Sequence, residues 1–206
     1  MRAMGSAGAV VRRLLAVFVL ATGLAACGVN EIPTLEERAK ASWGEVENQY
    51  QRRADLIPNL VETVKGYAAH ERETLEGVVR ARAAAVQARP GAAALEDPAK
   101  FADYERRQAE LGGALGRLLA IVEAYPDLKA NQNFLALQSQ LEGTENRIAV
   151  ARRDYIDAVR AYNTELRTFP GRLWAMTLYS DAEPMPVFAA AEGAREAPKV
   201  TFGTSG

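Results

Sequence analysis

"NQYQRRADLIPNLVETVKGY", Asn48 to Tyr67, has the apolar spacing of an amphipathic helix with a proline, Pro58, in its middle. Read outward from here, the apolar positions are Trp43, Val46, Tyr50, Ile57, Leu60, Val64 and Tyr67. The steps alternate three and four, the seam of packed helices, and Arg53 occupies the position skipped between Tyr50 and Ile57. Leu75, Val78, Val79 and Val86 extend the seam, with Arg82 at its next skipped step. Thr34 and Glu37 form a capping-box pattern at the start, and Arg89-Pro90-Gly91 marks the stop. The spacing therefore predicts one helix of about 55 residues, roughly 80 Å long, divided by a kink at Pro58.

Two more seams follow. Asp97-Pro98 reads as an N-cap with proline at the first helical position. Behind it come Phe101, Tyr104, Gln108, Leu111, Leu115, Leu118, Val122 and Tyr125. Gly112 and Gly116 lie four apart on one face, a pattern that lets a neighbouring backbone approach and offsets about 1 kcal/mol of lost propensity per glycine. "YPDLKANQN" interrupts the pattern at residues 125–133. Phe134, Leu137, Leu141, Thr144, Ile148, Ala151, Tyr155, Ala158 and Tyr162 then form the last seam, which ends at Phe169-Pro170-Gly171. No stretch alternates with period two for long enough to make a sheet. The fold class is all-α: an elongated antiparallel bundle of up to four helices with a long, kinked first helix.

The termini read differently. Arg2, Arg12 and Arg13, with no acidic residue, precede the run Leu14 to Ala26, apolar apart from Thr22 and Gly23. At 13 residues the run is short for a membrane span, which needs about 20, and fits a secretory signal. Leu24-Ala25-Ala26-Cys27 resembles the lipobox of bacterial lipoproteins, with small residues before the cysteine whose thiol is acylated (with palmitate, for example). Residues 1–26 are thus expected to be a lipoprotein signal peptide, 27–34 an anchor and spacer, and 35–170 the bundle. Residue 28 is glycine rather than aspartate, which leans toward the outer membrane, facing the periplasm, in a Gram-negative host. Beyond 170 an apolar "LWAMTLYS" could cap the bundle end, and Pro, Ala, Gly and Glu dominate from about residue 181, the composition of a disordered tail in which Phe188 could still dock.

Composition limits the chemistry. The apolar share is 49% and the charged share 25%, ordinary for a folded domain. A formal net charge of −1 gives no basis for nucleic-acid binding. One cysteine and one histidine cannot supply a transition-metal site without several carboxylates. The Glu-x-x-His of di-iron bundles is absent, since Tyr67 precedes His70 by three. Ser42, Ser139 and Ser180 stand in ordinary contexts for serine, and Glu45 and Glu47 point to different helix faces. The expectation is no catalytic residue, no metal and no cofactor: the protein is read as no enzyme.

The polar residues of the opening stretch remain. Arg52, Asp55, Asn59 and Glu62 follow steps of three and four around Arg53 and Pro58 and form a strip, and Glu145, Asn146 and Arg147 lie in the last helix. Two readings stay open: interhelical pairs that fix register, or an interaction face for a partner or small ligand.

"ASWGEVENQYQRRADL", "RRADLIPNLVETVKGYAAHERETLEGVVRAR" and the stretch from "LGGALGRLLAIVEAYPDLKANQNF" to "TFP" resemble the LemA family over about residues 35–170. The resemblance implies a bacterial cell-envelope protein with an antiparallel helical bundle; some relatives work in magnetosome membrane formation. It implies no established biochemical role. Many members keep a transmembrane N-terminus, whereas this chain looks lipidated at Cys27. Together these readings give a non-enzymatic, lipid-anchored envelope protein, a scaffold or adaptor for an unidentified envelope partner. The alternative is a sensor that binds a small ligand or cell-wall peptide near Pro58.

Overall fold

A computed structural model describes residues 28–188 and residue 12 of the chain. The described residues form an all-α bundle: α1 (Glu31–Lys65), α2 (Arg72–Gln87), a 3-10 turn (Gly91–Ala94), α3 (Pro98–Val122), the single turn α4 (Pro126–Lys129), α5 (Gln132–Glu165) and α6 (Gly171–Thr177). The expected 55-residue first helix is two helices. α1 runs through Pro58 to Lys65, about 50 Å at 1.5 Å per residue, and the chain reverses over Gly66–Glu71. α2 then runs back along α1: Arg82 bonds the Ala54 carbonyl, and Gly91 bonds Glu47 further down. Tyr67, counted in the seam, falls in this turn and is exposed, as are Val79 and Val86 on the outer side of α2.

α1 and α5 form the main antiparallel pair, and α2 packs on α3. Arg53 meets Glu145, and ten residues earlier Trp43 meets Tyr155, ten residues later, so the two helices run in opposite senses. α3 runs parallel to α1, since Trp43 contacts Phe101 and Arg53 contacts Gln108. The order is up, down, up, down around one core. Asp97 caps α3 as predicted: its Oδ1 accepts from the amides of Ala99 and Lys100, and these bonds hold its carboxyl below the usual range. The start of α1 differs from expectation. The helix begins at Glu31, and Thr34 sits inside it, donating its hydroxyl to the Asn30 carbonyl at 2.7 Å rather than capping. The glycine pair does not mediate close packing. A Cβ at Gly116 would meet nothing within 4 Å, and one at Gly112 would meet only the Arg53 guanidinium at 3.9 Å.

The apolar interior has two parts. One, toward the hairpin turn, holds Ile57, Leu60, Val64, Leu75, Val78, Leu111, Leu118, Phe134 and Leu141. The other, toward the start of α1, is aromatic: Trp43, Phe101, Tyr104, Tyr155 and Phe188 pack in stacked, tilted and edge-to-face pairs, with centroids 5.0–6.1 Å apart. Phe188 reaches this cluster because residues 181–188 lie on the bundle instead of forming a free tail. Asn163 bonds both backbone groups of Met185, at 3.0 and 2.9 Å, and the Tyr155 hydroxyl donates to the Pro186 carbonyl at 2.7 Å. Met185 and Phe188 are buried, so the apolar pair anchors a segment whose average composition reads as disordered. Residues 189–206 and the signal, lipobox and Cys27 expectations lie outside the described residues.

Candidate functional site

Arg53 is where the three long helices come together. Its position on the α1 seam forces the guanidinium inward, and it is 4% exposed. Nη1 donates to Glu145 Oε1 on α5 at 3.0 Å. Nη2 donates to the Gln108 carbonyl at 3.0 Å and to Gln108 Oε1 at 2.8 Å, both on α3. The guanidinium also lies over the Tyr50 ring, 5.1 Å from its centroid. Arg53 Nε is buried without a partner among the described residues. A guanidinium stays charged at all ordinary pH, and here its outer donors are spent on two helices. The group can fix register; it cannot reach a ligand or transfer a proton. Burial also raises the pKa of Tyr50, Tyr104 and Tyr155, which removes these phenols from acid–base work near neutrality.

The rest of the predicted strip is not brought together. Arg52, Asp55, Pro58, Asn59 and Glu62 lie along the solvent side of α1, and Asn146 and Arg147 are exposed on α5. Asp55 accepts from Gln51, Glu62 pairs with Lys65, and Arg147 bonds the Gly143 carbonyl, all within their own helices. Of the nine residues singled out, Arg53 and Glu145 alone bond each other across an interface.

Sequence reasoning passed over a second polar clasp. Trp43 Nε1 donates to the Gly91 carbonyl at 2.9 Å, and the Gly91 amide donates to the buried Glu47 Oε1 at 3.0 Å. Gly91 has φ +60°, a conformation that favours glycine. α1 thus holds both backbone groups of the turn that follows α2. The inward phase of Glu47, next to the seam residue Val46, was the available signal.

Pro58 lines none of the larger grooves, but Glu62 of the strip, one turn further on, borders one of them. One groove of about 500 Å³ is lined by Glu36, Lys40, Glu96, Tyr162, Asp181 and Glu183 among others. Another, about 580 Å³, runs between the end of α1 and the start of α2, from Val61 to Arg80. A third, about 500 Å³, includes Arg160, Thr164, Arg167 and Val187. Among the described residues no group of three or more His, Cys, Asp or Glu side chains could hold a metal ion. Nor, among them, is any helix long and apolar enough to cross a membrane.

The family model of the LemA family matches residues 42–202. The chain belongs to the LemA family. Among its curated relatives, magnetosome protein MamQ 2 of Paramagnetospirillum magneticum is 31% identical over 157 residues, 68% of this chain and 58% of the relative. Magnetosome protein MamQ of Magnetospirillum gryphiswaldense is 30% identical over 163 residues, 71% of this chain and 60% of the relative. The aligned LemA stretch therefore spans about three-fifths of the length of these relatives. The family match over residues 42–202 includes the Trp43 and Arg53 clasps and the Phe188 segment.

Proposed function

We propose that this LemA-family protein is a non-enzymatic helical scaffold or adaptor, tethered to a membrane of the bacterial envelope through acylated Cys27 and offering the solvent face of α1 to a partner protein. The observation that carries this reading is the division of the polar residues. Those inside the bundle, Arg53, Gln108 and Glu47, are engaged in joining helices. Those outside, Arg52, Asp55, Asn59 and Glu62, stand along an exposed helix; Glu62 alone borders a groove, and Pro58 lines none of the three large ones. A sensor built at the kink would have Pro58 or Asn59 in the wall of a cavity, and neither lines one of these grooves. The designation of the relatives as magnetosome proteins is in keeping with work at a membrane, and in a Gram-negative host Gly28 favours the outer one.

The test is crosslinking in the cell. A photo-crosslinking residue at Asn59 should give a discrete protein adduct, and Asp55→Ala with Glu62→Ala should weaken it while shifting stability by less than about 0.5 kcal/mol, as exposed changes do. If the double variant unfolds the domain, or every adduct persists unchanged, α1 is scaffolding only and the partner-face reading fails.

A further inference from the structure

The end of the bundle at which α1 starts is unusually apolar. Phe169 is 85% exposed, Met176 71%, Leu178 61% and Leu173 46%. Single exposed apolar residues are ordinary, but four within ten residues make a patch, and patches call for an explanation. Their placement is built in. Gly171 permits the sharp turn from α5 into α6, because a Cβ there would collide with the Glu165 carbonyl oxygen. α6 then turns Trp174 and Ala175 toward the aromatic core. Leu173 and Met176, three apart, fall on its other side.

The tether arrives at the same place. Gly28 packs on Pro170, where its Cβ position lies 3.6 Å from the ring. Pro170 adjoins Phe169, and in sequence only Cys27 separates Gly28 from the apolar run Leu14–Ala26. The expected spacer is also consumed, since α1 begins at Glu31 and leaves only Gly28–Asn30 outside it. Three residues span about 10 Å when extended. An anchor at Cys27 therefore holds the start of α1 within that distance of the bilayer, and the contact of Gly28 with Pro170 brings Phe169 and the beginning of α6 to the same end.

We infer that Phe169, Leu173, Met176 and Leu178 dock into the interfacial layer of the lipid bilayer, so that the bundle stands end-on with its hairpin turn pointing away. This rests on the membrane-tethered reading above. Charges at this end are mixed, with Arg167 and Arg172 beside the patch and Glu31 and Glu37 on α1. Leu178 also borders the acidic groove, which limits the footprint on that side. The apolar side chains and the short tether, rather than net charge, drive the docking. Salt should hardly affect it.

The test uses the full chain, purified from the envelope of its producing cell and reconstituted into phosphatidylethanolamine–phosphatidylglycerol vesicles. A fluorescent amino acid is placed at Thr177, on α6, or at His70, in the hairpin turn. The quencher is a nitroxide on the upper acyl chain of the lipid. Quenching at 177 should exceed that at 70 at least about threefold, as for a residue buried in the interface against one about 50 Å away. Leu173→Asp with Met176→Asp should abolish the difference while the chain still floats with the vesicles and its helical circular dichroism is unchanged. Equal quenching at both positions in a chain that floats overturns docking and leaves the tether standing. A chain that does not float overturns the tether and docking together. Quenching at 177 that appears only after residues 189–206 are removed assigns the patch to the chain's own C-terminal segment and overturns the proposal.

Discussion

Arg82 compensates for Pro58. Proline has no N–H, so in α1 the carbonyl four residues back, that of Ala54, loses its helical partner. Arg82 Nε, from α2, donates to that carbonyl at 2.7 Å. The arginine at the skipped step of the second seam fills the vacancy made by the proline in the first, and the helix continues to Lys65.

The pair should be coupled. Arg82→Met leaves the Ala54 carbonyl without its partner and should cost about 1–3 kcal/mol. In a Pro58→Ala background, where the restored amide can serve that carbonyl, the same change should cost distinctly less. Urea melts of the four forms give the coupling energy, and strict additivity would show that Arg82 acts only through packing.

Arg53 should be replaceable by shape but not by absence. Arg53→Ala opens a cavity between three helices and should lower stability by about 3 kcal/mol. Arg53→Met fills much of that space without a buried charge and should cost clearly less. Glu145 has a side chain 46% exposed, so Glu145→Gln should change stability by about 1 kcal/mol or less. Thermal melts that rank methionine as badly as alanine would mean the charge itself is required.

Alkaline pH should loosen the aromatic part of the core. Burial raises the pKa of Tyr104 and Tyr155 above the ordinary 10.0. The fold favours the neutral phenols, so their contribution is intact below the unfolded-state value and is lost as pH rises toward the folded one. Denaturation midpoints should stay level from about pH 7 to 9 and fall above about pH 10. Tyr104→Phe should blunt that fall. An unchanged pH profile in the variant would exclude Tyr104 as its source.

Anchoring should depend on one sulfur. Cys27→Ser removes the only thiol in the chain and should abolish both acylation and signal cleavage. Labelled palmitate incorporated equally into both forms would remove the lipobox reading.

The sequence and the structure part company at particular residues. The three-and-four spacing located the buried faces of the long helices because burial is periodic: Trp43, Ile57, Tyr104, Leu118, Phe134 and Tyr155 are all interior. Asp97-Pro98 announced its helix because a cap is a local event. The hairpin at Gly66–Glu71 was hidden because Ala68, within the turn, is itself buried and the apolar phase resumes at Leu75. Pro58 drew attention as the obvious breaker, yet its cost is met from another helix, which no local pattern displays. Arg53 was legible as an inward charge, and Glu145 was singled out without being assigned to it. The Trp43–Gly91–Glu47 clasp had one local sign, the inward phase of Glu47, but its partner is a backbone group 44 residues away that no local pattern names. Phe188 was legible as an apolar residue that could dock in a tail rich in Pro, Ala, Gly and Glu, but its seat on Trp43 and the hold of Asn163 on Met185 depend on distant residues that no local pattern displays.

That phenylalanine also bears on when the molecule can fold. Trp43 comes from the first helix and Phe188 from the last described stretch, yet their rings are 6.1 Å apart. Arg53 likewise waits for Glu145, 92 residues later. Synthesis proceeds from the N-terminus at about 5–20 residues per second. The aromatic core therefore stays open until Phe188 has left the ribosome, and the nascent chain remains loose while an export channel could still thread it. Ribosome-stalled chains with residue 180 or residue 206 exposed beyond the tunnel test this consequence: only the longer should protect α1 from protease. Equal protection would mean the helices lock without their C-terminal closure.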